Sequence, residues 1–177
     1  MSLSNNTNIL GKYKIVEVTF NLCVIFLEEV LLEYFPRNYL NQYISICQRN
    51  PSPLLGYILV DIETNKMVAG VLARRQKSKG ITNYENDVIY IEMLATKSQF
   101  TRQGLAKGLL EEIGDLGSDM GVKRIELHVS ISNAAAINFY YKNGFKMETK
   151  EKDFYRNVKD YQGSKIALLL VKNLTGT

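Results

Sequence analysis

The hydrophobic pattern changes period partway along the chain, and that change limits the folds open to it. Val88-Ile-Tyr-Ile-Glu-Met-Leu94 is crowded with β-branched and aromatic side chains, as a strand would be. Shortly afterwards Leu105, Leu109, Ile113, Leu116 and Met120 recur at spacings of three and four, the apolar face of a helix. Thr101-Arg-Gln-Gly-Leu-Ala106 lies between them. A strand that feeds a helix through a short loop collects unpaired backbone N–H groups at the positive end of the helix dipole, a seat for a phosphate. Gly104 and Ala106 have little bulk, so a ligand can come close to the backbone. No Gly-Lys-Ser/Thr follows, so this is not a Walker phosphate loop, and it lacks two glycines of a dinucleotide fingerprint. Taken alone, it is an ordinary strand-to-helix connection.

The rest of the chain alternates in the same way. Lys14 to Val18 reads as a strand and Asn21 to Leu32 as a helix with Glu28, Glu29 and Glu33 on its wet side. Phe35-Pro36 breaks that helix, a second runs from Leu40 to Cys47, and Asn50-Pro51-Ser-Pro53 ends it. Gly56 to Ile62 and Met67 to Arg74 predict a hairpin turning at Glu63-Thr-Asn-Lys66. Beyond the loop and its helix come a strand over Val122 to Ile131, a short helix over Asn133 to Lys142, and strands over Phe145 to Thr149 and Lys165 to Lys172. The order β α α β β β α β α β β, with no repeats and no linker, predicts mixed α/β architecture on one central sheet flanked by helices. Residues 1–11 read as a flexible tail and residues 12–174 as a single domain. With 177 residues the chain is long enough to bury a substantial core.

Composition excludes several classes of function. Hydrophobic residues make up 46% of the chain and charged residues 23%, which is globular and neither fibrous nor disordered. The net charge of +4 is mildly basic, with one cluster at Arg74-Arg75-Gln-Lys77-Ser-Lys79. That cluster reads as a solvated hairpin end that helps attract a polyanionic ligand, ahead of a nucleic-acid surface. Cys23 and Cys47 lie in apolar helical patterns and read as buried thiols, and a single histidine is too few for a zinc site. The polar N-terminus does not read as a signal peptide. The apolar runs Leu22 to Phe35 and Ile166 to Val171 are too short, or too broken by glutamate, to span a membrane. A soluble, cytoplasmic protein is the expectation, with the nucleus also compatible.

The motif that decides the reading is Ile131-Ser-Asn-Ala-Ala-Ala-Ile-Asn-Phe-Tyr-Tyr-Lys-Asn-Gly-Phe145. Ser132 or Asn133 is a good N-cap, the alanines favour helix, and Asn143-Gly144 closes it. Together with the Thr101–Ala106 loop, it resembles the GNAT N-acetyltransferase superfamily, which pairs a pyrophosphate loop with an N-x-x-A-x-x-F-Y-x-x-x-G-F helix. Asn133, Ala136, Phe139, Tyr140, Gly144 and Phe145 all sit at that spacing. Thr101 stands where the family's loop has Gln or Arg. Leu127-His-Val-Ser-Ile-Ser-Asn133, Glu148-Thr-Lys150, Phe154-Tyr155 and Phe35-Pro36-Arg-Asn-Tyr39 sharpen the resemblance to the San-type protein N-terminal α-acetyltransferases. It extends from about Ile15 to Leu174 and is closer after Tyr84. Arg37 stands where those enzymes have Val, Phe154 where they have Tyr, and Glu92 where they have Met, with one extra residue near Asp153.

The resemblance implies a GNAT fold, acetyl-CoA as cosubstrate, and no metal. It implies that Leu94, Ala95, Thr96, Arg102, Gln103, Gly104, Leu105, Ala106, Lys107, Asn133, Ala136, Phe139 and Tyr140 hold acetyl-CoA. Tyr90 and His128 would bind an ordered water that takes the amine proton, and Tyr140 would protonate the departing thiolate. Phe35, Pro36, Arg37, Tyr39, Glu92, Phe154 and Tyr155 would line a slot for the substrate. The residues also admit plainer roles: a core histidine, a β-favoured tyrosine, aromatic packing at Phe35.

Chemistry agrees with the resemblance on what such a site needs. The amine must be neutral, and an α-amino group of pKa about 8 loses its proton far more readily than a lysine of about 10.4. A backbone N–H near Leu94 or Ala95 would stabilise the oxyanion. The implied activity is acetylation of protein N-termini, with methionine first. Lysine or small-amine acetylation, and an acetyl-CoA-binding scaffold subunit, are the alternatives. Implied partners are N-terminal peptides and, in a larger acetyltransferase complex, an auxiliary subunit at the ribosome; no nucleic-acid site and no membrane contact are read.

Overall fold

The computed structural model describes residues 11–50, 53–78, 86–155 and 164–174. The tail expected over residues 1–11 lies, but for Gly11, outside them. The elements run β1 (Tyr13–Glu17), α1 (Phe20–Glu29), a 3-10 turn (Leu31–Glu33), α2 (Arg37–Arg49), β2 (Leu54–Asp61), β3 (Met67–Lys77) and β4 (Asp87–Thr96). A 3-10 turn (Ser98–Phe100) leads to α3 (Leu105–Asp119), β5 (Arg124–Ser130), α4 (Ala134–Lys142), β6 (Lys146–Glu151) and β7 (Ala167–Asn173). That is the expected order of elements. Among the described residues the strands form a seven-stranded sheet ordered β1-β2-β3-β4-β5-β7-β6. β4 pairs with β5 in parallel, whereas β1–β2, β5–β7 and β6–β7 are antiparallel, so the sheet is mixed.

The chain clusters into two compact units. One is the described chain through Ala73 together with Met93–Ile113; the other is Arg74–Glu92 with the chain from Gly114 onward. The core of the first unit is where its two helices meet the strands. Phe26, Leu27 and Leu31 are fully buried with Leu40, Tyr43, Ile58, Met67 and Met93, each such aliphatic or aromatic side chain contributing roughly 1.5–3 kcal/mol by leaving water. Cys23 and Cys47 are buried free thiols in this cluster, as the helical pattern predicted. A Cβ on Gly70 would stand 2.8 Å from the Phe26 ring, so the missing side chain is what lets α1 lie this close to β3.

Several boundaries differ from expectation, two of them around Phe35-Pro36. The first helix becomes a 3-10 turn at its end, where Tyr34 N–H bonds to the Leu31 carbonyl at 2.9 Å. The second helix starts at Arg37 rather than Leu40, because Pro36, at φ −67° in its N-cap position, pre-sets the backbone where no N–H is needed. The proline that ends one helix also launches the next. Tyr39 and Arg37 therefore sit on a helix, not in the loop the sequence suggested.

In the second unit strand alternation places Arg124, Glu126, His128 and Ser130 on one face of β5, while Ile125, Leu127 and Val129 fill the other. The polar face is stitched by ion pairs. Arg124 Nη2 lies 2.9 Å from Glu126 Oε1 and also meets Glu148, and Ser78 donates to Glu126 Oε1 at 2.5 Å. Arg74 is a correction. Instead of crowning a solvated hairpin end it is buried, with Nε 3.2 Å from Glu92 Oε1. Of the same cluster, Lys77 and Arg75 both reach Asp87 at 2.9 Å and hold its carboxyl below the usual carboxylate range. Alternation along β3 sends only every second residue of a basic run to water.

Candidate active site

The residues singled out from the sequence divide between the two units. In the first unit β4 ends at Thr96, and the Lys97 N–H crosses to the Val68 carbonyl at 2.8 Å. Thr101 Oγ1 donates to the Ser98 carbonyl at 2.9 Å, so it shapes the turn in front of the loop. The backbone is left-handed at Arg102 (φ 61°) and Gly104 (φ 80°). Gly104 accepts this conformation without strain, and Arg102 pays for it with a crowded Cβ. Alternating handedness of this kind turns successive N–H groups toward one concavity, and α3 begins at once after it. The amides of Leu105, Ala106 and Lys107 have no partner within the helix, and the helix dipole makes this end positive.

Several side chains in and beside the loop have partners within the protein. Tyr13 OH donates to Gln103 Oε1 at 2.8 Å, Leu105 is buried, and Lys107 pairs with Glu111 at 3.5 Å. What the loop offers a ligand is backbone together with the exposed Arg102 side chain. At the end of β4, Thr96 Oγ1 is buried and has no hydrogen-bond partner among the described residues, close in sequence to Leu94 and Ala95, which are both half-buried. Tyr34 OH donates to the Thr96 carbonyl, and Ser98 N–H donates to Glu33 Oε2 at 2.9 Å, which ties the end of the first helical segment to this strand end. A phosphate-bearing ligand fits this set of donors.

The first unit also holds the expected slot residues that precede and open α2. Phe35 and Tyr39 stack at 5.1 Å and are partly buried against the hydrophobic cluster, so they serve core and surface together. Pro36 is exposed, as is Arg37, whose guanidinium reaches Glu28 at 3.3 Å.

In the second unit Tyr90 OH lies 2.8 Å from His128 Nδ1, and both side chains are buried. The parallel register sets Tyr90 opposite Glu126, so His128 is its diagonal neighbour on the same face, within reach of a phenol. The family resemblance has these two groups together bind a water, and the structure joins them to each other by a hydrogen bond. His128 Nε2 lies 2.9 Å from Glu151 Oε1, a residue the sequence reading did not select. Phe154 covers the imidazole at a centroid distance of 4.0 Å and 16° between planes, with Tyr155 edge-on behind it. Glu92, expected in the slot, has its carboxylate against Arg74.

Asn133 is the N-cap of α4, its Oδ1 accepting from Ala136 N–H at 3.1 Å, and Gly144 (φ 86°) follows the helix, as the motif predicted. Tyr140 is buried, edge-on to Phe139 at 5.3 Å and to Phe145 at 5.4 Å. Burial pushes its phenol pKa up, so it keeps its proton through the neutral range and is a proton donor rather than a base. Among the described residues no cluster of His, Cys, Asp and Glu is arranged to hold a metal ion.

The model of the acetyltransferase (GNAT) family matches residues 22–145. This chain belongs to that family. Over 97 residues it is 35% identical to N-alpha-acetyltransferase daf-31 of Caenorhabditis elegans, covering 54% of this chain and 50% of that protein. Over 127 residues it is 29% identical to the probable N-acetyltransferase san of Drosophila melanogaster, covering 70% of this chain and 63% of that protein. The chain thus matches about half to two thirds of the length of these GNAT relatives. A GNAT family acetyltransferase from Elizabethkingia anophelis, solved with acetyl-CoA bound, superposes with a TM-score of 0.69 at 15% identity, over 92% of this chain and 99% of that one. The likeness establishes the mixed α/β GNAT fold that the sequence motifs implied.

Proposed function

We propose that this protein transfers the acetyl group of acetyl-CoA to the α-amine of protein N-termini, preferentially those beginning with methionine. The observation that carries the reading is the buried Tyr90–His128 hydrogen bond of 2.8 Å, a proton-accepting pair on the strands where the family resemblance expects one. N-alpha-acetyltransferase names among the relatives support the choice of amine. Acetyl-CoA is seated through its phosphates by the backbone amides that follow Arg102, with Gly104 leaving room. Leu94 or Ala95 supplies the N–H for the oxyanion, Tyr90 and His128 draw the proton from the attacking amine, and Tyr140 gives one to the departing thiolate.

Phe35, Pro36 and Tyr39 of the first unit, and Phe154 and Tyr155 of the second, are apolar residues of the kind that suits a methionine side chain. Arg37 and Glu92 are each balanced by an opposite charge, Glu28 and Arg74 respectively. Neither then demands a charged second residue of the substrate, and an uncharged one is preferred. Acting on nascent chains, the protein works in the cytoplasm, within a complex whose auxiliary subunit meets the ribosome.

Turnover of acetyl-CoA against short peptides tests the assignment. Acetylation confined to free, Met-starting N-termini is the expected result. Equal rates on N-blocked peptides carrying an internal lysine would move the activity to lysine, and tight acetyl-CoA binding without turnover would make the chain a scaffold.

A further inference from the structure

We infer that Glu151 is a positioning residue that fixes the tautomer and raises the basicity of His128, so that Tyr90, His128 and Glu151 act as one directional proton relay. The inference rests on the acetyltransferase reading for its chemistry and on geometry for its existence. A carboxylate only accepts, so the ring nitrogen 2.9 Å from Glu151 Oε1, Nε2, carries the proton. Nδ1 is then the lone pair, and the phenol 2.8 Å away donates to it. When the amine attacks, its proton passes to the Tyr90 oxygen as the phenol's own proton passes to Nδ1. One proton has moved from substrate nitrogen to imidazole, and Glu151, still ionised, faces the imidazolium.

A strand irregularity brings this carboxylate into place. Glu148 and Glu151 are an odd number of residues apart and in a regular strand would point to opposite faces. The register of β6 on β7 shifts between Met147, opposite Leu170, and Thr149, opposite Leu169. That bulge adds a residue, and both glutamates reach the polar face of β5: Glu148 to Arg124, Glu151 to His128. His128 stands opposite Leu169 on β7, which brings no charge. Among the described residues of this face, Glu126 and Glu148 pair with Arg124, and Glu92 pairs with Arg74. Phe154 lies flat over the ring and limits the water that would otherwise weaken the pair.

Because His128 is the single histidine of the chain, its imidazole gives unambiguous nitrogen resonances. In the intact protein the neutral ring is expected as the Nε2–H form. E151Q retains an acceptor for Nε2–H and removes the charge. It should make the ring titrate at lower pH than the parent and move the acidic limb of the kcat profile down with it. It should also cut kcat by roughly tenfold while KM changes by less than about twofold. E151D, which restores the charge, should recover part of both. An unshifted imidazole titration in folded E151Q would overturn the relay even if H128A is inactive. Full turnover by H128A would overturn the relay and the catalytic reading together.

Discussion

The loop before α3 and the cluster around His128 are both candidate parts of one chemistry, yet they are built from different material. The loop presents main-chain amides, and Gln103, Thr101 and Lys107 have their side chains on Tyr13, Ser98 and Glu111. The His128 cluster presents side chains from β4, β5, β6 and the turn after it, and the backbone there only supplies register. A main-chain site tolerates changes of residue so long as the turn survives. A side-chain site depends on each identity, and on every charge around it being matched.

The sharpest break in that comparison is H128A. Losing a positioned base should lower kcat on the order of a hundredfold to a thousandfold while the Kd for acetyl-CoA, read by calorimetry, stays within about threefold. A large change in Kd would show that the two sites are not separable. Next is R74M, which takes the Arg74 guanidinium away from the Glu92 carboxylate. It should destabilise the fold by about 3 kcal/mol in urea, and R74M/E92M should regain most of that loss, since an apolar pair of similar volume can replace a buried ion pair. Gly104→Val would put a β-branched side chain at φ 80°; acetyl-CoA affinity should fall about tenfold while kcat at saturation changes little. T101A should change affinity by less than about twofold, as the Thr101 hydroxyl bonds to the chain and not outward. A large loss there would make the loop a side-chain site after all.

A smaller effect concerns pH. The phenol of Tyr140 has a raised pKa in the folded state, so its contribution to stability is complete below the ordinary phenol value and declines as pH rises past it. In melting curves the parent should therefore lose stability relative to Y140F, which has no phenol to ionise, as pH rises above about 10.

Much of this was legible in the residue pattern. Order and type of the strands and helices followed from period alone, and Asn133 with Gly144 marked the ends of α4 because caps are local chemistry. Tyr90 and His128 were found through the family motif, and the sheet joined them. What could not be read were features set by a neighbouring strand. Arg74 looked like one member of a surface run until β4 supplied Glu92 opposite it. Glu151 carried no sequence signal, because a bulge at Glu148 is not written in any short-range preference.

The sequence by itself determined the elements, their order, the loop that leaves amides free and the family. These depend on hydrophobic period, capping and turn residues, interactions among residues close along the chain. Tertiary structure alone decided which charges are balanced, which nitrogen of His128 carries the proton, and that the Tyr90 phenol meets the ring directly. Those depend on register, where a shift of one residue sends a side chain to the opposite face of the sheet.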